Sequence, residues 1–367
     1  MRILFAIQGE GRGHFTQALT LRAALEAEGH TVVGAMVGCS RARRLPEFFL
    51  RRFGTAGLVR YESPNFSPTD RRVDLPRSIA YNMRRIPRYA KSLRKIRKTM
   101  RTLRPDAVVN FYELLTGIAY GLYHFRAPMI CIAHQYYFMH RDVNPIGVDR
   151  SQVVMLNMFS RATSLGAACR LALSMRPMAD DPANRITIVP PLLRREVLTA
   201  DVSRGNYVLA YMLNAGFTAD IERFHRRRPD IPLRVFRDKP QKSPVRQVDA
   251  TLQYHTIDDR RFILSMASCR AYATTAGFES VCEAMYMGKP VVMVPSHLEQ
   301  QCNAADAQAA GAGIACDHFD IDRLLAFSDQ YKPNPAFARW ARSAGRIIVG
   351  LIEQTAGSVA TQRRSAS

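Results

Sequence analysis

The stretch AYATTAGFESVCEAMYMGKPVVMVPSHLEQQCNA, residues 271–304, restricts the fold more than any other part of the chain. A short strand over Ala271–Ala273 meets a turn at Thr274–Gly277, and a helix runs from there to Met287. Pro290–Val294 is then a continuous apolar run between Gly288 and Pro295, as expected of a strand buried on both faces. Strand, glycine turn, helix, strand reads as a parallel βαβ unit. Such a unit aims helix N-terminal N–H groups at the carboxyl edge of a sheet, where the macrodipole favours an anion such as phosphate. Thr275, Gly277 and Phe278 border that turn, and Glu283 lies in the first turns of the helix, where a carboxylate can accept from a ribose diol. The following loop brings His297, Glu299, Gln300 and Asn303 to the same edge, the place where open α/β sheets bind ligands.

The N-terminus repeats the pattern. Apolar Ile3–Ile7 runs into GEGRGH and then an amphipathic helix carrying Ala18, Leu21 and Leu25, with Gly29 as its C-terminal stop. Gly9, Gly11 and Gly13 let backbone approach a ligand, and His14 projects from the helix start into whatever cleft forms above the sheet. Thr16 stands where a dinucleotide fingerprint needs its last glycine, which disfavours NAD-type binding. Further strands are expected at Thr31–Val37, Ala107–Phe111 and Pro128–Ala133, the last ending in His134 and Gln135, with Glu113 opening the helix between. The polar stretch from Arg194 to Asn206 reads as a domain boundary. A second sheet then opens at Tyr207–Met212 and leads through Asn214 to Gly216, again a strand followed by a glycine turn.

Composition narrows the function classes. The net charge of +21 is uneven: Arg41–Arg104 holds nineteen Lys or Arg against four acids. Within it, Pro87–Arg104 reads as one helix with an apolar stripe and an uninterrupted basic face of Arg88, Lys91, Arg94, Lys95 and Lys98. Such a face suits an anionic membrane surface, while the interleaved stacking aromatics of a nucleic-acid site are missing. No apolar run reaches the ~20 residues of a membrane span, so the expected location is the cytoplasm, peripheral on the inner face of its membrane. Seven scattered cysteines without Cys-x-x-Cys point to neither a disulfide framework nor zinc. Asp320-Ile321-Asp322 precedes a helix and reads as an N-cap rather than a metal site.

Gly277, Glu283, Gly288-Lys289-Pro290, Pro295, Glu299-Gln300 and Asn303-Ala304 occur in the order found in the donor half of GT-B glycosyltransferases. The chain resembles in particular the lipid II-forming N-acetylglucosaminyltransferases and the UDP-glycosyltransferases. It departs from them at Ala276, where they carry a first glycine, and at Glu299, where an Asp is commoner. The resemblance implies an α/β fold of two doubly wound Rossmann-like domains facing across a cleft. Residues 1–194 would bind acceptor, 195–333 would bind donor, and a helix over 334–361 would return to the first domain. It implies a metal-independent, inverting hexosyl transfer from a nucleotide sugar, UDP-linked, with no cofactor, to a hydroxyl on a lipid or other small acceptor. His14 would be the base, with Glu10 and Glu113 as rivals. Gly11, Gly13, Gly216, the backbone at Ile257, Thr275, Gly277, Phe278, Glu283, Glu299, Gln300 and Asn303 would hold the donor, and Glu113, His134 and Gln135 the acceptor. Two alternatives stay open: a nucleotide-sugar 2-epimerase of the same fold, and a non-catalytic protein binding an anionic surface.

Overall fold

The computed structural model describes residues 1–64, 82–212, 215–239 and 241–365. Part of the basic stretch (65–81) and Asn214 lie outside the described residues. In chain order, the first half contains β1 (Arg2–Gln8), α1 (Gly13–Ala27), β2 (Thr31–Cys39), α2 (Glu47–Phe53), β3 (Leu58–Glu62) and α3 (Ile86–Leu103). It continues with β4 (Ala107–Phe111), α4 (Leu114–Leu122), β5 (Met129–Ala133), a 3-10 turn (His134–Met139), α5 (Arg150–Thr163), β6 (Cys169–Leu173) and β7 (Ile186–Val189). After a linker with the single turn α6 (Arg195–Leu198) come β8 (Val208–Met212), α7 (Thr218–Arg227), β9 (Leu233–Arg237), β10 (Val245–Gln247), β11 (Leu252–His255) and α8 (Asp259–Ser268). The chain closes with β12 (Ala271–Thr274), α9 (Phe278–Tyr286), β13 (Val291–Met293), α10 (Leu298–Ala309), β14 (Gly313–Ala315), α11 (Ile321–Gln330), α12 (Pro335–Arg342) and α13 (Ala344–Ser365).

The strands form two seven-stranded sheets, ordered β3-β2-β1-β4-β5-β6-β7 and β10-β11-β9-β8-β12-β13-β14. All neighbours are parallel except β10, which runs antiparallel to β11. Along β1, Ile3, Phe5 and Ile7 enter one core and Leu4 and Ala6 the other, all fully buried, because parallel strands are covered by helices on both faces. Strand order reverses beside β1 in the first sheet and beside β8 in the second. Crevices open at such reversals, so the turn after β1 and the turn after β12 are each set at a ligand-binding edge.

One apolar cluster is continuous between the domains. It joins Phe5 and Ile7 to Leu192, Leu193 and Val197 of the linker and to Tyr272, Val281 and Met285 of the second domain. The expected C-terminal helix is two helices, broken at Ser343, with Asn334 capping the first by accepting from Ala336 N–H at 3.0 Å. Trp340 Nε1 donates to the Ser174 carbonyl at 3.2 Å, and α13 lies along α1, where His30 Nε2 meets Glu353 at 2.8 Å. Asp320 is an N-cap as expected, its carboxylate accepting from Arg323 N–H at 2.9 Å.

Ile352 of α13 is fully buried in the cluster with Leu21 and Leu25 of α1. Ile352→Ala should therefore cost about 2–5 kcal/mol of stability, measured by urea unfolding. A loss below about 0.5 kcal/mol would mean that α13 does not support the first domain.

Candidate active site

The turn after β12 is built by local strain and two amides. Ala276 sits at φ +63°, the left-handed region that costs a residue with a Cβ about 1–2 kcal/mol. Asn303 Nδ2 donates to the Ala276 carbonyl at 3.1 Å, and Gln300 Nε2 donates to Thr275 Oγ1 at 3.3 Å. Gln300 Oε1 is taken by Ser296, from N–H at 2.9 Å and Oγ at 2.8 Å. Both amides are buried and brace the turn rather than projecting into open space. Gly277 is the N-cap of α9 and offers no capping side chain, so the first N–H groups of α9 face the cleft edge uncapped. Phe278 stacks on His134 of the first domain, ring centroids 3.9 Å apart and 18° between planes.

The two glycine turns meet. A Cβ on Gly13 would stand 2.5 Å from the carboxylate of Glu279, so a larger residue here would have to push that carboxylate aside. Glu279 Oε1 accepts from Gln17 Nε2 at 2.5 Å, and Gln17 Oε1 faces His14 Nδ1 at 3.4 Å. Because the Gln17 amide donates to Glu279, its oxygen must face His14, which puts the imidazole proton on Nδ1 and leaves Nε2 free to accept. Burial pulls the His14 imidazole down to about 4, with the Gln17 bond opposing, so the ring is neutral near pH 7 as a base requires. Tyr112 lies over it, ring centroids 6.0 Å apart. Burial pushes Glu279 up to about 7, and Glu299 and Glu283 push in the same direction. Sequence reasoning passed over Glu279 because an acid in the first turn of a helix is ordinary.

A second contact line crosses the cleft. Arg194, in the linker, forks onto Glu283 with both bonds at 2.7 Å and stands 3.7 Å from Asp259, which Arg12 of the first glycine turn meets at 2.8 Å. Burial alone would lower the Arg194 guanidinium, and the Glu283 carboxylate overrides it and holds it above its ordinary value. Glu283 is 2% exposed. In this closed cleft it therefore holds the linker instead of presenting itself to a ribose. Gln135 Nε2 donates to Glu299 at 2.9 Å, joining an acceptor-side residue to a donor-side one, and burial raises the Glu299 carboxyl against that bond.

Other expected residues stand elsewhere. Glu113 is fully buried and its carboxylate accepts from Tyr61 OH (2.5 Å), Ser63 Oγ (2.6 Å), Leu115 N–H (3.1 Å) and Thr116 N–H (2.6 Å). It is the N-cap of α4, with no lone pair left for an acceptor or an abstracted proton. Glu10 accepts from Ser40 N–H at 2.5 Å and ties its turn to the end of β2. His134 is buried, with Nδ1 on the Leu173 carbonyl at 2.7 Å, and burial holds it down to about 4. Tyr136, Tyr137 and Phe138, which follow it, are buried in the core. Gly11 is exposed at the turn's outer side, Gly216 precedes α7, and Ile257 lies in the half-buried loop before α8, whose N-cap is Asp258. Among the described residues, no three His, Cys, Asp or Glu side chains are grouped to hold a metal ion.

A profile of glycosyl transferase family 1 matches residues 1–330. The chain belongs to that family. No curated protein matches this glycosyltransferase. Among solved structures, the glycotransferase of kitacinnamycin superposes with a TM-score of 0.63 at 20% identity, over 96% of this chain and 98% of that one. CalG4, the calicheamicin glycosyltransferase, gives 0.61 at 15% identity over 98% and 99%. UGT89C1 of Arabidopsis thaliana, complexed with quercetin, gives 0.63 at 12% identity over 96% and 99%. Near-complete coverage on both sides identifies the fold as GT-B, two Rossmann-like domains across a cleft.

The raised Glu279 carboxyl has a readable linkage. The folded enzyme keeps a proton that the unfolded chain releases near pH 4.5, so this contribution to stability is full below pH 4.5 and is lost as pH rises to about 7. Glu279→Gln keeps an acceptor for Gln17 and removes the titration. Its stability relative to the parent should rise by roughly 2 kcal/mol between pH 5 and pH 8, followed by urea unfolding. Parallel curves would show that Glu279 is ionised in the closed cleft.

Proposed function

We propose that this glycosyltransferase moves a sugar from a UDP-linked donor to a hydroxyl of an acceptor with an apolar body, with inversion and without a metal ion. The observation that carries the reading is the contact of the two glycine turns through His14, Gln17 and Glu279 at the uncapped start of α9. Supporting it, one structural neighbour, UGT2 of Phytolacca americana, was solved with UDP-2fluoro-glucose and pterostilbene. In the proposed complex the diphosphate sits at Thr275–Phe278, the uracil edge at the Ile257 backbone, and the ribose at Glu283 once its fork with Arg194 opens. Gly11, Gly13 and Gly216 border the donor, Glu299 meets sugar hydroxyls, and Gln135 stands on the acceptor side.

In the proposed reaction, His14 Nε2 takes the acceptor proton as the hydroxyl oxygen bonds to the anomeric carbon. The carbon–oxygen bond to the diphosphate breaks, its electron pair stays on the phosphate oxygen, and the N–H groups of α9 stabilise that charge. Glu279 in its neutral form lets the dianion approach and can donate to it. A single displacement inverts the anomeric centre. With EDTA present, UDP should raise the melting temperature of the parent, and His14→Ala should keep that shift while losing at least about 100-fold in turnover. Free UDP should appear only when acceptor is added, whereas an epimerase would turn over donor alone. Near-parental turnover of His14→Ala would remove the base assignment.

The acceptor and the membrane belong to one face in this reading. Helices α3, α4 and α5 lie side by side, and α5 exposes Val154, Met155 and Met158, with Leu122 of α4 and Ile86 of α3 also exposed. Arg88, Lys91, Arg94, Lys95 and Lys98 are exposed on α3, of which Arg88 pairs with Glu62 and Lys95 donates to the Arg60 carbonyl. Apolar patches rimmed by one sign of charge suit an anionic bilayer surface, about 1 kcal/mol per basic residue near it. The protein should co-sediment with phosphatidylglycerol vesicles at low salt, and Lys91→Glu with Lys98→Glu should abolish this. Equal recovery with neutral vesicles, or none at low salt, would sink the proposal. Among the described residues no helix is long and apolar enough to cross a membrane.

A further inference from the structure

Among the described residues, the second domain holds a buried cation without an ion pair. Arg237, the last residue of β9, is 5% exposed, and its Nε is buried with no hydrogen-bond partner. Its side lies against the ring of Tyr254, Cζ 3.6 Å from the centroid. Arginine cannot shed its proton to relieve burial, as lysine or histidine can, and a single cation–π contact does not replace the hydration that burial removes. Among the described residues, only the Glu222 carboxylate shares its cavity, which leaves room for an opposing charge from a ligand.

A cavity of about 370 Å³ opens over this side chain between α7 and the β9–β11 side of the sheet. Arg226, Lys239 and Arg246 stand around it, none with an ion pair among the described residues, and Glu222 is its one carboxylate, accepting from Tyr254 OH at 3.4 Å. His225 borders it too but is already held by Asp249 at 2.6 Å. Four guanidinium or ammonium groups against one carboxylate in a volume of small-ligand size select a compact anion bearing more than one negative charge. The cavity, which Thr218 at the start of α7 also lines, is set on the other side of the sheet from the turn after β12. It lies on the face of the sheet covered by α7, with Val235 and Tyr254, whereas α9 and its turn cover the opposite face, with Leu209 and Phe236.

We propose that the second domain carries, apart from the donor cleft, a site for a small molecule with two linked phosphoryl groups, in which Arg237 forms the floor and Arg226, Lys239 and Arg246 the rim. The proposal does not depend on the donor assignment.

The probe is inorganic pyrophosphate, titrated calorimetrically into the full chain already saturated with UDP. One equivalent should bind, at least tenfold more tightly than orthophosphate, which can engage fewer of the four cations. Arg237→Met should weaken it at least tenfold while keeping the UDP thermal shift, and should melt above the parent in phosphate-free buffer because an uncompensated buried charge is gone. Arg226→Ala with Arg246→Ala, both at exposed positions, should weaken it independently of any change in the floor. Mole-for-mole displacement of pyrophosphate by UDP would overturn the proposal and assign the binding to the donor cleft. Unchanged affinity in both variants, or equal affinity for orthophosphate, would overturn it as well. A failed UDP shift with intact pyrophosphate binding would strike the donor reading alone.

Discussion

The approach of Gly13 to the Glu279 carboxylate is the constraint on which the active-site arrangement depends. A Cβ at Gly13 would fall 2.5 Å from the Glu279 carboxylate, so a larger residue there has to displace that carboxylate from its bond with Gln17. With the turns in contact, Gln17 spans from Glu279 to His14, and one amide sets both the protonation site of the imidazole and the partner of the carboxyl. A residue of the second domain thereby orients a residue of the first. In the proposed reaction, closure that brings the turns together would also order the base and exclude water. The elevated Glu279 carboxyl follows from the same closure, since burial beside Glu299 and Glu283 disfavours a further negative charge.

Arg194 supplies the second hold. It reaches from the linker to Glu283 and Asp259, while Arg12 reaches Asp259 from the first turn, so two cations and two carboxylates alternate across the cleft. Breaking one partner of a buried pair costs about 3–5 kcal/mol, far more than an exposed pair, and the linker is accordingly fixed to α9. In the proposed complex, opening the fork with Arg194 frees Glu283 for the ribose hydroxyls. The linker's position and the availability of Glu283 are therefore one variable.

Much of the architecture was legible in the sequence, because buried parallel strands appear as apolar runs and their turns as glycines. Gly29 closes α1 at φ +78°, Asp320 caps α11, and the second sheet opens at Val208. The site was less legible. Glu113 follows a strand at the expected edge, and only Tyr61 and Ser63, about fifty residues earlier in the chain, turn it into a buried cap. Arg194 lay in a stretch that polarity alone marks as linker. Arg237 did leave a trace: in LRVFR it shares the alternation of Leu233 and Val235, whose side chains enter the core, so an inward arginine could have been noticed.

The departure at Ala276 ties these threads together. Where a glycine would take φ +63° without strain, alanine does so at a cost of about 1–2 kcal/mol, and a net hydrogen bond contributes about 1 kcal/mol. The Asn303 bond to the Ala276 carbonyl is thus of the size needed to hold the turn, and Gln300 secures Thr275 beside it. Two side chains that the motif would offer to a sugar are committed to backbone and hydroxyl within the turn. Of the polar residues after β13, Glu299 is left facing the first domain through Gln135, together with exposed His297. In the proposed complex, sugar selection then falls to the pair made by Glu299 and Gln135, one residue from each side of the cleft.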